Sequence, residues 1–330
     1  ADNNAIFRKI IYPDRGIIYD RKKRALLENT ISYDLVVIPN EAKGVDTAAL
    51  CNILHIDKAE YSKRIVEAII KNTRVKAGVF EPFLTPEIYA QLNENLYRFP
   101  GFSLSERSIR SYPYNTAALV LGYVAEVDVK FLKEHESEGY EMGDYAGMTG
   151  LEKNYEAVLM GQRGVKRFLR DNKGKIQGSY EKGEFDTVAV AGKNLYTSVD
   201  IQVQQLAEKL LQNKIGSAVA INPKTGGVIA MAASPGYNPN LLTGSKRRKT
   251  IGRLLLDTAR PLYNRAIKGQ YPPGSTFKPL GALIALDEGL ITPNYGYNCF
   301  GSYGACGDPR KCEHHNAGHA ANLQLALAYS

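Results

Sequence analysis

A serine and a lysine that could carry out acyl transfer lie three residues apart in the second half of the chain. Ser275 follows the rigid Pro-Pro-Gly turn at 272–274 and precedes the apolar run at 280–286, which predicts a helix beginning near the serine. Free backbone N–H groups at a helix start stabilise developing negative charge. Lys278 lies one helical turn further on, so its amine falls on the same side as the hydroxyl. The pair is a candidate nucleophile and base.

Serine–lysine chemistry requires an unusual lysine. A serine hydroxyl is a poor nucleophile at neutral pH, and an ordinary lysine is protonated and cannot accept its proton. The pKa of Lys278 must therefore be lowered by burial or by a neighbouring cation. The same spacing occurs at Ser179 and Lys182, but in a polar stretch that predicts a solvated hairpin segment. The alternative role for Ser275 is a helix cap; the turn before it and the apolar helix after it favour catalysis.

Two regions of different composition position these residues. Residues 1–190 mix short strands with polar amphipathic helices and contain no nucleophile framed by a base, which indicates a scaffold. Apolar spacing predicts helices over 58–71 and 151–160, and Thr85 followed by Pro86 predicts a further helix start. A polar, glycine-flanked stretch predicts a domain boundary near residue 190, and the second domain is expected to occupy 191–330. Within it, 217–221 and 228–233 predict two buried strands joined by a turn. The expected fold class is α+β.

Charge and composition narrow the range of partners. The 330 residues include 42 Lys and Arg against 34 Asp and Glu, a net charge of +8, and 44% of them are hydrophobic, as in globular domains. No apolar run approaches the roughly 18 residues that a membrane span needs. The basic run at 246–249 is either a solvated loop or a site of attraction to an anionic surface. The absence of tryptophan and of an aromatic-basic stripe argues against a nucleic-acid partner.

Five further motifs precede the serine–lysine pair. Arg15 begins R-G-I-I-Y-D-R, the second motif consists of Y-P-Y from Tyr112 and L-G-Y-V from Leu121, Gly150 begins G-L-E-K-N-Y, Val219 begins V-A-I-N-P-K-T-G-G, and Tyr237 begins Y-N-P-N. Together they resemble the motifs of class B penicillin-binding proteins, most closely the elongation-type penicillin-binding protein 2 group, whose superfamily shares S-x-x-K, S-x-N and K-T-G. The resemblance implies an elongated N-terminal pedestal of the dimerisation type, followed by the first part of a transpeptidase domain related to serine β-lactamases.

The resemblance also implies an activity and a set of residues. It implies D,D-transpeptidation of peptidoglycan, in which Ser275 attacks the D-Ala-D-Ala bond of a stem peptide with Lys278 as base, and inhibition by β-lactams. Ser330, at the end of a predicted helix, fits the first residue of S-x-N. The Lys-Thr-Gly at 224–226 precedes Ser275, whereas the family's K-T-G follows S-x-N, so we interpret it as a turn. The catalytic strand is then expected beyond Ser330, and the fragment alone is expected to be inactive.

Partners and location follow from the same resemblance. The pedestal is expected to dock a SEDS-type glycan polymerase and scaffold proteins of the elongation complex. A helix ahead of Ala1 is expected to anchor the protein in the bacterial inner membrane, with this portion in the periplasm. Two alternatives stay open: a division-type penicillin-binding protein, and a non-catalytic β-lactam sensor or scaffold on the same fold.

A cluster of cysteine and histidine residues lies between the two expected motifs. Six such residues fall within 21 positions: Cys299, Cys306, Cys312, His314, His315 and His319. The cluster predicts a zinc site, a disulfide, or a loop without special chemistry. Some elongation-type relatives bind zinc in this insertion, and by analogy Cys299 and Cys312 are the first candidate ligands, followed by His315 or His319, with Cys306 a spectator. Zinc would be structural, and the chemistry itself needs no cofactor.

Overall fold

The computed structural model describes residues 6–140, 143–170, 176–244, 247–304, 307, 309–312 and 319–329. The chain forms two compact units, Ala1–Lys268 and Gly269–Ser330. Both contain helices and strands, as the predicted α+β class requires.

The N-terminal unit begins with a sheet backed by helices. Its first elements are β1 (Ile6–Ile11), β2 (Ile18–Tyr19), β3 (Ala25–Val37), α1 (Thr47–Leu54), α2 (Lys58–Asn72), β4 (Gly78–Leu84), α3 (Pro86–Asn95) and β5 (Phe102–Ser111). The long strand β3 pairs antiparallel with β4 on one side and β5 on the other. Fully buried apolar side chains, among them Leu35, Leu50, Leu92 and Phe99, form one hydrophobic core.

Local sequence explains where two of these helices begin. The carboxylate of Asp57 accepts the backbone N–H of Glu60 at the start of α2, at 2.7 Å. The hydroxyl of Thr85 accepts the N–H of Ile88, and Pro86 occupies the first turn of α3. The apolar spacing of 58–71 predicts α2, and Thr85 with Pro86 predicts the start of α3; both predictions are confirmed.

Shorter helices and strands follow and connect the sequence motifs. They are α4 (Ala118–Leu121), β6 (Val124–Glu126), α5 (Val129–Glu134), β7 (Tyr145–Gly147), α6 (Gly150–Asn154), α7 (Glu156–Leu159), β8 (Gly164–Arg170) and β9 (Ile176–Ser179). β6 pairs with β7, and β8 lies between β1 and β9 in a separate antiparallel sheet. The prediction of one helix over 151–160 is wrong, because Tyr155 (φ −112°, ψ 23°) leaves helical geometry and divides it into α6 and α7.

A buried charge cluster joins the first and third of the five motifs to strand β5. The Glu152 carboxylate, fully buried, accepts Arg110 Nε at 2.8 Å and an Arg15 guanidinium nitrogen at 2.7 Å. Arg15 also pairs with Glu156 of α7, and Arg110 donates to the carbonyl of Gly16 at 2.7 Å. Burial lowers the pKa of Arg110, although the Glu152 carboxylate counteracts it. The cluster therefore holds strands and helices that are far apart in sequence.

The remainder of the N-terminal unit contains β10 (Leu195–Tyr196), α8 (Ile201–Leu210), β11 (Gly216–Ile221), β12 (Val228–Ser234), α9 (Arg247–Leu256) and α10 (Arg265–Lys268). β10 pairs parallel with β2, so residues on both sides of the predicted 190/191 boundary lie in this unit. The boundary stays a prediction. Asp200 caps α8, accepting the N–H of Gln202 at 3.1 Å.

Two expectations for this part are wrong. β11 and β12 form the predicted antiparallel hairpin, but only β12 is substantially buried; from Ser217 onward β11 is exposed, because β12 is its one strand partner among the described residues. In the basic run at 246–249, residues 247–249 begin α9 and do not form a loop, whereas Lys246 lies outside the described residues. Attraction of the run to an anionic surface stays a prediction. The turn at 222–227 is as expected, with Gly226 in the left-handed region (φ +70°).

The C-terminal unit contains α11 (Lys278–Asp287), β13 (Ser302–Tyr303), β14 (Arg310–Lys311) and α12 (Leu323–Ala328). α11 ends where Gly289 adopts φ +68°, as expected for a glycine after a helix. Across both units, the helices in the described ranges are too short or too polar to cross a membrane.

Candidate active site and metal centre

Ser275 lies in a short helical turn that leads directly into α11. A 3-10 helix covers Gly274–Phe277, and Lys278 is the first residue of α11. The N–H of Lys278 donates to the carbonyl of Ser275, so the two residues occupy one turn of continuous helix. Gly274 adopts φ +57°, which glycine tolerates best, and it makes the sharp entry to this turn.

The site is open to solvent. All residues from 271 to 280 are exposed, and each residue of α11 is either exposed or only partly buried. Leu280, Leu283 and Ile284 are 49%, 63% and 51% exposed. The burial that acyl transfer requires of Lys278 is therefore not supplied by the described residues.

The competing serine–lysine pair has a different geometry. Ser179 ends β9, and the following turn contains two non-glycine residues in the left-handed region, Glu181 (φ 43°) and Lys182 (φ 52°). Lys182 is therefore not one helical turn beyond Ser179. Both side chains are exposed, as expected for a solvated segment.

The third predicted catalytic residue lies outside the described residues. Asn322 caps α12, its side-chain oxygen accepting the N–H of Leu325 at 2.8 Å. The N–H of Leu323 donates to the carbonyl of Pro293 at 3.2 Å, which fixes the start of α12 against the preceding loop. The predicted helix before Ser330 is thus present, and the role of Ser330 stays a prediction.

Three of the predicted zinc ligands come together. The ligand atoms of Cys299, Cys312 and His319 all lie within 4.8 Å of one another, and Cys312 Sγ is 3.4 Å from His319 Nε2. The β13–β14 hairpin brings them together, since the N–H of Cys312 donates to the carbonyl of Gly301 at 2.8 Å. Cys299 and Cys312 are not joined by a disulfide. The predicted ligand His315 and the predicted spectator Cys306 lie outside the described residues.

The cluster fits a metal ion chemically. Two thiols and an imidazole are the donors that zinc prefers over calcium or magnesium. Nε2 of His319 faces Cys312 Sγ, and Nδ1 is buried without a hydrogen-bond partner among the described residues. A metal ion bound to one ring nitrogen would leave the other to be satisfied by a second partner. Each of the three residues is half-buried, as in structural zinc sites close to a surface.

Close packing between two glycines explains another part of the motif pattern. A Cβ on Gly122 would lie 1.8 Å from the carbonyl oxygen of Thr149, and one on Gly150 would lie 2.5 Å from that of Val120. Only glycine lets these two backbones approach so closely. The backbones of the second and third motifs are therefore in direct contact, which the spacing of the motifs along the sequence does not show.

Models of two protein families match the chain. The penicillin-binding protein dimerisation domain matches residues 10–197, more than half of the chain, and the penicillin-binding protein transpeptidase domain matches residues 216–330. The chain belongs to the penicillin-binding proteins. The predicted class B resemblance, with a pedestal followed by a transpeptidase region, is confirmed.

Curated penicillin-binding proteins resemble it over most of its length. The peptidoglycan D,D-transpeptidase MrdA of Haemophilus influenzae is 33% identical over 307 residues, covering 89% of this chain and 46% of that protein. MrdA of Escherichia coli is 33% identical over 305 residues, covering 89% and 47%. Penicillin-binding protein 3 of Bacillus subtilis is 28% identical over 297 residues. The chain spans about half the length of the curated relatives it matches.

A solved structure confirms the fold. The complex between penicillin-binding protein PBP2 and MreC from Helicobacter pylori matches with a TM-score of 0.72 and 23% identity, over 94% of this chain and 58% of that one. At this identity the likeness supports the fold class, which is the one predicted.

Proposed function

We propose that this chain supplies the pedestal and the first part of the catalytic domain of an elongation-type peptidoglycan D,D-transpeptidase. Ser275 is the nucleophile and Lys278 its base. The observation that carries the proposal is that both residues lie on one helical turn at the start of α11, inside the region that matches the transpeptidase family model. The identity of 33% with named D,D-transpeptidases supports the same activity.

The reaction is an acyl transfer in two steps. Ser275 Oγ attacks the carbonyl carbon of the D-Ala-D-Ala peptide bond while its proton passes to Lys278 Nζ; the C–N bond breaks, and the terminal D-Ala leaves with a proton. An amine of a second stem peptide then attacks the ester, forms the new amide bond and restores the serine hydroxyl. A β-lactam acylates the same oxygen and leaves a slowly hydrolysed ester.

Labelling by a fluorescent penicillin tests this assignment in the full-length gene product. Ser275→Ala is expected to abolish labelling, because the attacking oxygen is lost. Lys278→Ala is expected to slow acylation by about 100-fold or more, the range that general-base catalysis contributes. Ser179→Ala and Lys182→Ala are the matched controls, since they have the same spacing without the helical turn, and should label at the wild-type rate. Wild-type labelling of Ser275→Ala would refute the assignment.

We also propose a structural zinc ion bound by Cys299, Cys312 and His319. The fourth ligand would be His315 or the residue that follows Ser330. The three donor atoms within 4.8 Å of one another support it. Zinc would join the β13–β14 hairpin to the segment that leads into α12 and would act on catalysis only through position.

Elemental analysis tests the zinc site. Full-length protein purified without added metal is expected to contain about one zinc per chain, with Zn–S distances of roughly 2.3 Å. Cys312→Ser should lose the zinc, whereas Cys51→Ser should keep it, because Cys51 lies in α1 of the other unit. An intact Cys299–Cys312 disulfide in metal-free protein would contradict the proposal.

The proposed partners act on the pedestal. The structural relative is a complex with MreC, which supports docking of an elongation scaffold protein here, and we extend the proposal to a SEDS-type polymerase and to inner-membrane anchoring with this portion in the periplasm. Ile70 on α2 and Tyr97 are 77% and 84% exposed, so they are suitable test positions. Ile70→Asp and Tyr97→Ala should leave penicillin labelling within a few-fold and weaken binding to the MreC-type protein of the same organism. Unchanged binding and growth for such variants across the pedestal would contradict a docking role.

A further inference from the structure

Two side-chain amides in the N-terminal unit pair with backbone groups as a β-strand would. In α8, the Oε1 of Gln204 accepts the N–H of Met231 at 2.8 Å, and its Nε2 donates to the carbonyl of Met231 at 2.9 Å. The side chain of Asn240 does the same to Tyr112: Oδ1 accepts the N–H at 3.0 Å and Nδ2 donates to the carbonyl at 2.8 Å. Only an amide offers both a donor and an acceptor in this way.

Glu208 connects one of these pairs to a distant loop. Its Oε1 accepts Nε2 of Gln204 at 2.8 Å and the backbone N–H of Ala117 at 2.7 Å. Ala117 is 1% exposed and adopts φ +60°, so no water can replace the carboxylate as its partner without local opening. A continuous set of hydrogen bonds therefore runs from Ala117 through Glu208 and Gln204 to Met231.

These bonds cross from one family domain to the other. Tyr112 and Ala117 lie in the region matched by the dimerisation model, whereas Met231 in β12 and Asn240 lie in the region matched by the transpeptidase model. Tyr237 adds a hydroxyl bond to the carbonyl of Ala118 at 3.4 Å. We call residues 112–118 the connecting segment. It is bound at three points by side chains that follow residue 200 in the sequence.

We propose that Glu208 and Asn240 are positioning residues that fix the connecting segment, Glu208 to strand β12 and Asn240 to the 3-10 turn at 239–242, so that the pedestal and the β11–β12 hairpin respond as one body. The bonds from Glu208 and Tyr237 and the pair from Asn240 to Tyr112 are made to backbone groups of the segment. Nδ2 of Asn240 also donates to the side-chain oxygen of Asn115 at 3.3 Å. A displacement of the segment is therefore transmitted to β12 through Glu208 and Gln204. The inference goes beyond the proposed function, because it concerns how the two regions are joined and not the chemistry that one of them performs.

Hydrogen–deuterium exchange of the full-length gene product tests the coupling. In Glu208→Ala, the Ala117 amide loses its acceptor, and its exchange rate should rise by about tenfold or more, the effect of one lost hydrogen bond. In Asn240→Asp, a carboxylate oxygen faces the Tyr112 carbonyl in place of a donor. Glu208→Ala should also accelerate exchange in β12 by about tenfold, and Asn240→Asp should do so at 239–242, while β3 and β5 of the pedestal core keep wild-type rates.

Three further variants separate coupling from a loss of stability. Glu208→Gln keeps an acceptor oxygen and should restore most of the protection of Ala117. Asn240→Ser is the milder change to use if Asn240→Asp does not fold. Asn93→Asp makes the same chemical change at an exposed position of α3 and should alter neither β12 nor the connecting segment. Equal acceleration in β3 and β12, or no change in β12, would overturn the proposal. The measurement does not use penicillin labelling, so a failure of the proposed activity would leave this result intact.

Discussion

The pedestal core and helix α11 differ in how far their apolar side chains are buried. In the pedestal, Leu35, Leu50, Leu92 and Phe99 are 0% exposed, and helices of the same region cover them. In α11, Leu283 is 63% exposed, and its apolar neighbours are about half-exposed. The pedestal thus completes its own core, whereas the helix that begins at Lys278 presents an apolar surface to solvent in the described structure.

The largest effect is expected at the buried charge cluster of the pedestal. Glu152→Gln leaves the guanidinium groups of Arg15 and Arg110 buried without their shared carboxylate, which should lower the free energy of unfolding by about 3–5 kcal/mol. Urea denaturation measures the loss. Glu134→Gln is the control, because its pair with Lys130 is exposed and 3.8 Å long, and it should change stability by less than about 0.5 kcal/mol. Similar losses in both variants would remove the distinction between the buried and the surface pairs.

A slightly smaller effect is expected at a buried apolar residue of the same region. Leu92→Ala, in α3, removes a fully buried side chain and should cost about 2–5 kcal/mol, because a cavity adds to the lost transfer free energy. Thermal and urea unfolding of this chain would measure it. A cost below about 1 kcal/mol would show that the pedestal core is not closed as described.

The pH dependence of pedestal stability provides a third prediction. Burial raises the pKa of Asp20, but hydrogen bonds from Arg24 and from the backbone of Lys22 outweigh it, so the pKa in the folded state lies below the ordinary value. The stability that this carboxylate contributes is complete above its unfolded pKa, near 4, and is lost as the pH falls through the lower folded value. Asp20→Asn should flatten the fall in stability on acidification in that window. An unchanged slope would contradict the assignment.

The smallest effect is expected in α11, and it makes the comparison sharper. Leu283→Ala should change the stability of this chain by less than about 0.5 kcal/mol, because the side chain is mostly in solvent. In the full-length gene product the same change should cost about 2–5 kcal/mol if further residues bury it. Equal, small values in both proteins would show that α11 stays uncovered, and the lysine would then lack the burial that its role requires.

Sequence patterns predicted best those elements whose signals are local. The apolar spacing of 58–71 predicted α2, and Thr85 with Pro86 predicted the start of α3. The break at Tyr155 was not predicted, since α6 and α7 are each bound by Arg15, which lies 137 positions before Glu152 and 141 positions before Glu156 in the sequence. The exposure of β11 could not be predicted from the sequence either. A run of apolar residues shows that a strand can be buried, but not whether another element covers it.

The same limit applies to the candidate site. The helical turn that places Ser275 and Lys278 together follows from the Pro-Pro-Gly turn and the spacing of three, and the structure has it. The approach of Cys299, Cys312 and His319 was expected only as a cluster, because spacing does not decide which thiols and imidazoles meet. The hydrogen bonds of Asn240 and Glu208 had no local signal, since each is made to a backbone group far away in sequence.

The parallel pairing of β10 with β2 has a consequence for the order in which the molecule assembles. The backbone and hydroxyl of Thr197 both donate to the carbonyl of Tyr19, across a separation of 178 residues. Closing so long a loop is entropically costly and slow compared with forming a hairpin. During synthesis, one edge of β2 therefore stays unpaired until the chain has grown past residue 197. A ribosome-bound intermediate shorter than this should expose that edge to proteases and chaperones.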